Sequence, residues 1–310
     1  MKKSLLQKIV SAAIISLGAI AVSLPAQAGS LINDWEYARD DYNYDGSGSG
    51  GFNVNSRYDF YGMGFKRVGN EMFVGISTTY VAGASGTTTG VGYGDLFLDF
   101  NYGKPNNSFS AAQGALVGIR FAPNDTNTGN GVFTEVKGKS VASTNNGYGP
   151  KYNNLKGYND LVKSNNSGQD SHFGDLAWID PNKAPNAPEN LYFADYRSGA
   201  NSIPNVIDTG KYANGSVRTL SAGELASFAS IPVNITYDAN KKTVFGFAFT
   251  LPEELRGNAF LATLGFECSN DTISGYVPKA VPVPPAIAGI IAAGAFGGWR
   301  AARRKKQVEA

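Results

Sequence analysis

Apolar positions in the middle of the chain fall into short runs separated by Gly, Asn, Ser and Asp, a spacing that predicts strands. Residues 58–66 (YDFYGMGFK) and 71–80 (EMFVGISTTY) are two such runs, and Arg67-Val68-Gly69-Asn70 between them supplies the Gly and Asn of a hairpin turn. Residues 95–101 (DLFLDFN) alternate, which places Leu96, Leu98 and Phe100 on one face. Residues 115–121 (ALVGIRF) and 132–136 (VFTEV) flank the polar loop 122–131. Two further strong runs, 243–250 (TVFGFAFT) and 260–266 (FLATLGF), are joined by LPEELRGN. A helix is predicted where Ser221-Ala222-Gly223-Glu224 forms a capping box followed by Leu225 and Phe228. Residues 140–214 have poor periodicity and read as an ordered irregular excursion on a β scaffold, the kind of place where function tends to sit. The whole pattern predicts an all-β fold, an antiparallel β-sandwich of jelly-roll-like type with one or two short helices.

The two ends carry a different pattern. The chain opens with Lys2, Lys3 and Lys8, runs through apolar residues 9–24, and then reads Pro25-Ala26-Gln27-Ala28-Gly29. A positive start, a short apolar core and small residues at Ala26 and Ala28 make a secretory signal peptide over 1–28, with signal peptidase as its processing partner. At the other end the polarity is reversed: a proline-rich segment, an apolar stretch over 286–299, then Arg300, Arg303, Arg304, Lys305 and Lys306. At about 1.5 Å per residue this stretch would form a helix of roughly 20 Å, short of a hydrocarbon core of about 30 Å unless the cations snorkel. The cations place that terminus on the cytoplasmic side and the bulk of the protein outside the membrane. The predicted division is therefore 1–28, a body over 29–278, and a tail over 279–310.

The tail, with Val281, Pro282, Pro284 and Pro285 ahead of the Gly/Ala-rich helix and the Arg cluster, resembles the PEP-CTERM sorting signal. Val283 stands where the common motif has Glu, which bears on the subtype that reads it. The resemblance implies cleavage by a membrane transpeptidase, the exosortase, after transient anchoring in the inner membrane. A plain C-terminal anchor is the rival reading.

Setting the ends aside changes the charge. The chain as a whole is +2, but eight of its 27 Lys and Arg lie in the two ends against one of its 25 acids, leaving residues 29–280 at about −5. A mildly acidic body argues against nucleic acid or anionic lipid as a partner. The single Cys268 rules out an internal disulfide and is expected to be a small buried hydrophobe. His172 is the only histidine, so a His-rich zinc site is excluded and any His-dependent nucleophile would have to use it.

A second resemblance covers most of the body. Glu267-Cys268-Ser269-Asn270-Asp271-Thr272-Ile273 is similar to the E-C-x-N-D-x-I signature that ends the sandwich domain of several PEP-CTERM families. Trp35-x-Tyr37 with Asp40-Asp41, Tyr61-Gly62-Met63, Gly94-Asp95-Leu96-Phe97 and Gly118-Ile119-Arg120-Phe121 resemble a family of exosortase-dependent surface proteins found mainly in cyanobacteria. What this implies is an address and an architecture, not a chemistry.

Candidate chemistry is sparse. Asp41, Asn43, Asp45 and Ser47, with Gly46 at the sixth position, match the first half of a calcium loop, but Phe52 occupies the place of the bidentate Glu. Asn270 and Asp271, close to Glu267, are a second oxygen cluster suited to calcium or to an Asx turn. Trp35, Tyr42, Tyr44 and Trp178 beside Asn and Asp are candidates for a sugar platform. His172 with Asp170 and Asp175 is the one acid/base suggestion apart from an unlocated carboxylate pair. The expectation is a non-catalytic exported protein of the cell surface or extracellular matrix, structural or interacting in role and calcium-stabilised. A carbohydrate-binding module for exopolysaccharide and a glycan hydrolase or lyase are the alternatives.

Overall fold

The computed structural model describes residues 30–39, 59–80, 91–124, 129–142, 192–197, 203–233, 242–268 and 271–280 of the 310-residue chain. The signal segment, the tail with its apolar stretch, and the loop containing Asp41, Asn43, Asp45 and Ser47 lie outside the described residues. Among the described residues no helix is long and apolar enough to cross a membrane.

Those residues form two antiparallel six-stranded sheets, an all-β sandwich. The strands are β1 (Ser30–Ile32), β2 (Trp35–Arg39), β3 (Phe60–Val68), β4 (Glu71–Thr78), β5 (Leu96–Asp99), β6 (Leu116–Arg120), β7 (Gly131–Lys139), β8 (Val206–Tyr212), β9 (Val217–Thr219), β10 (Thr243–Thr250), β11 (Phe260–Gly265) and β12 (Thr272–Val277). A single turn of helix, α1 (Ala194–Arg197), precedes β8, and α2 (Ala222–Ala229) lies between β9 and β10. The first sheet has the order β1-β2-β3-β4-β10-β9 and the second β12-β11-β5-β6-β7-β8. Each therefore contains a four-strand meander, completed by a pair that returns from later in the chain.

The expected hairpin is present: β3 and β4 pair from Val68↔Glu71 inward, with Gly69 at φ 58° in a two-residue turn. The capping box is present as well. Ser221 accepts from the Glu224 amide, the Glu224 side chain accepts from the Ser221 amide, and Leu225 and Phe228 are the buried residues of α2.

Apolar residues pack in three layers. Between the sheets lie Met63, Phe65, Val74, Ile76, Leu96, Leu98, Phe249, Phe260, Leu264 and others, with Phe100 packed against them. The outer face of the second sheet buries Phe97, Leu116, Phe133, Val136 and Leu261 under Phe109, Tyr192, Phe193 and Ile203. The outer face of the first sheet buries Trp35, Tyr37, Phe73 and Ala248 under α2. Covering both faces of the central strands explains why β4 and β11 read as nearly continuous apolar runs, whereas the edge strand β8 is exposed from Asp208 onward. Cys268 is buried in the central layer and forms no disulfide.

Candidate functional site: a carboxylate knot around the β11–β12 turn

The turn from β11 into β12 gathers fragments that are far apart in the sequence. Phe266 bridges to Tyr93, the Glu267 amide donates to the Gly92 carbonyl at 3.0 Å, and the Gly94 amide donates to the Gly265 carbonyl at 2.8 Å. This places Gly94-Asp95 beside Glu267. Gly94 is required by the crowding, because a Cβ there would sit 2.1 Å from the Asn205 carbonyl oxygen.

Asp95 is fully buried at 0% exposure. Its Oδ1 accepts from Asn124 Nδ2 at 2.7 Å and its Oδ2 from the Ile207 amide at 2.6 Å, which ties the head of β5 to the loop after β6 and to β8. Burial pushes the carboxyl up to about 6; the Glu267 charge adds to this, while the two hydrogen bonds and the Arg120 charge oppose it. Glu267 accepts from the Gly92 amide at 2.7 Å through Oε2. Asn205 completes the knot, donating from Nδ2 to the carbonyls of Phe266 at 3.0 Å and Glu267 at 2.7 Å and accepting from the Val141 amide at 3.1 Å. Every polar atom of Asp95 and Asn205 in these bonds serves chain fold, so these groups fasten loops; they are not presented to a substrate.

A second part of the site lies on the other side of the same turn. Asp271 accepts from the Phe60 amide at 2.6 Å through Oδ2, linking the start of β12 in one sheet to the start of β3 in the other. Asp59, the residue before Phe60, is 5% exposed, and its Oδ1 has no hydrogen-bond partner. Burial, and then the charge of Asp271, hold the Asp59 carboxyl well above the usual carboxylate range. The donors here are oxygens, the set a hard cation prefers. Among the described residues no group of three or more His, Cys, Asp or Glu converges on one point.

Of the residues expected from sequence to bind metal, Asp271 is thus placed on a buried carboxylate pair, while Asn270 and the Asp41–Asn43–Asp45–Ser47 loop fall outside the described residues, as do His172 and Trp178. Trp35 does not serve as a sugar platform. It is 0% exposed, its Nε1 donates to Ser227 Oγ at 2.9 Å, and its ring lies against Phe228 at 5.1 Å between centroids. The sequence reading missed Asp59 and Asn205. The available signals were an acid wedged between Tyr58 and Phe60 at a strand mouth, and an Asn inside the apolar run Ile203-Pro204-Asn205-Val206-Ile207.

At the opposite end of the sandwich, Arg67, Gly69, Asn70, Glu71, Leu251 and Arg256 line a cleft of ≈ 100 Å³. That is well below the roughly 300–1,000 Å³ of small-molecule pockets. Its two guanidinium groups are engaged with the backbone: Arg67 donates to the carbonyls of Asn258 and Pro278, both at 3.0 Å, and Arg256 to that of Leu251 at 2.9 Å. No protein-family model, curated protein or solved structure matches the chain.

Proposed function

We propose that this chain is an exported, non-catalytic protein of the cell surface or extracellular matrix, a jelly-roll-like sandwich delivered by signal peptidase and exosortase and acting as a structural or interaction module. The observation that carries the reading is the mirrored polarity of the two ends: cations before the apolar segment at the front, and Val281, Pro282, Pro284 and Pro285 before the apolar stretch with Arg300, Arg303 and Arg304 after it at the back. The body is consistent with such a role. The outer faces of the central strands are covered by side chains of the chain itself, and the buried carboxylate Asp95 and amide Asn205 are spent on fastening loops.

The test is processing. A tagged full chain and a variant lacking residues 281–310 are expressed in a host with exosortase, fractionated, and the mature product is weighed by mass spectrometry. The full chain is expected to lose the segment carrying Arg300 to Lys306 and to leave the inner membrane, whereas the deletion variant bypasses membrane processing. A full-length product that keeps the Arg cluster and stays in the inner membrane would establish a plain anchor instead.

A further inference from the structure

We propose that Asp59 and Asp271 are the protein side chains of a calcium site that clips the two sheets together beside the β11–β12 turn. The inference does not depend on how the chain is sorted.

Both residues are rigidly placed. The Asp59 carbonyl accepts from the Thr79 amide at 3.0 Å and from Thr78 Oγ1 at 2.7 Å, while the Asp59 amide donates to Thr79 Oγ1 at 3.2 Å. The backbone of Asp59 is thereby pinned to the end of β4, and its side chain is buried there. Asp271 is pinned from both sides: its carbonyl accepts from the Phe266 amide at 3.1 Å and its Oδ2 from the Phe60 amide. Phe60 belongs to the first sheet and Asp271 directly precedes β12 of the second, so the bond from the Phe60 amide brings the Asp271 carboxylate across the sandwich to the residue next to Asp59.

The arrangement is costly as it stands. Asp59 Oδ1 is buried without a hydrogen-bond partner, and the charge of the Asp271 carboxylate adds to the cost of ionising Asp59. A divalent cation removes both costs at once, filling the lone pair of Oδ1 and cancelling the repulsion. The oxygen-only donor set selects a hard ion, and calcium accepts the irregular geometry that two fixed strands impose better than magnesium does. The sequence motif around Asp271 suggests calcium by itself; the structure contributes Asp59 as its partner, from a residue more than two hundred positions away.

The experiment measures the melting temperature of the purified full chain in chelator, in a few millimolar calcium, and in the same concentration of magnesium, for the wild type and for Asp59→Asn. Calcium is expected to raise the wild-type value by about 5 °C, magnesium by less, and Asp59→Asn is expected not to respond. Asp271→Asn, which keeps an oxygen for the Phe60 amide, is the second variant and is expected to behave the same way should Asp59→Asn fold poorly. Two results overturn the proposal. One is a wild type whose melting temperature calcium does not move, which would mean that the buried pair is held without the ion. The other is a calcium response that survives intact in both variants, which would place the ion elsewhere, the loop with Asp41 and Asp45 being the next place to look.

Discussion

Glu135 is the one residue among the described ones, other than Gly, Asn and Asp, to hold a left-handed backbone, at φ 52°. It sits in a bulge of β7: Phe133 opposes Gly118 and Val136 opposes Leu116, so the three residues 116–118 of β6 face the four residues 133–136 of β7. The bulge reverses the alternation of the strand. Val132 points into the central layer, yet Phe133 and Val136 both lie on the outer face with Leu116. The run VFTEV announces a strand, but simple alternation would put Val132 and Val136 on the same side. Nothing in a glutamate signals positive φ, so the reversal is invisible until the pairing with β6 is known. The ion pair of Glu135 with Lys211, 2.6 Å long but between exposed side chains, is worth little in water. Replacing Glu135 by Gly should therefore relieve about 1 kcal/mol of backbone strain and raise the melting temperature by about 2–4 °C, while Glu135→Val should lower it. Thermal denaturation of the two variants checks this; a loss of stability in Glu135→Gly would mean that the ion pair outweighs the strain.

At the scale of elements, the helix α2 is held by an absence of side chains. Gly64, Gly75 and Gly246 are aligned across β3, β4 and β10 by strand register, and together they form a bare strip on the outer face of the first sheet. The Phe228 ring lies on it so closely that a Cβ on Gly75 would be 2.6 Å from Phe228 Cγ and one on Gly64 2.7 Å from Cε2. Ser227 next to it accepts from Trp35 Nε1, and Asn33 donates to Ser227 and Ser230, so the end of the helix is bound to the β1–β2 corner. The capping box made α2 legible in advance, because its signal is local. Its seat was not, because the three glycines belong to three separate runs, YGMGF, FVGIS and VFGFA, and only the long-range pairing of β10 with β4 brings them into one row. Gly75→Ala is expected to cost about 1–3 kcal/mol through overpacking, and Phe228→Ala about 3–5 kcal/mol through the cavity it leaves. In the double variant the new methyl fills part of that cavity, so the two losses should fall short of their sum by at least about 0.5 kcal/mol. Denaturant midpoints of the three variants measure the coupling, and strict additivity would show that Phe228 does not rest on the strip.

At the scale of the whole molecule, the residues marked in distant fragments, Asp95, Glu267 and Asp271, meet around one turn that ties both sheets and the β8 segment together. Each fragment could be noted in the sequence; their meeting could not, since it depends on β11 pairing with β5 and on β8 returning from the unreadable middle of the chain. This knot makes stability depend on pH in a direction opposite to that of a paired surface acid. Asp95 is raised from 3.8 to about 6 by burial, so the folded state holds its proton more tightly than the unfolded chain does. The stability linked to that proton is complete below about pH 4 and is lost as pH climbs through about 6, a loss of about 2–3 kcal/mol. Asp59 acts in the same direction. Glu224, held down to about 2 by its hydrogen bonds to Arg218 and then Ser221, acts in the opposite direction: its contribution is present above 4.5 and is lost only as pH falls through about 2. The two windows hardly overlap, and subtracting a variant isolates the first. Urea midpoints of the wild type and Asp95→Asn, measured in chelator at pH 4 and pH 7, should show the wild type losing about 2–3 kcal/mol more than the variant over that interval. Parallel profiles would mean that the hydrogen bonds from Ile207 and Asn124, with the Arg120 charge, hold Asp95 ionised despite its burial, so that the knot is fastened by a charge and not weakened by one.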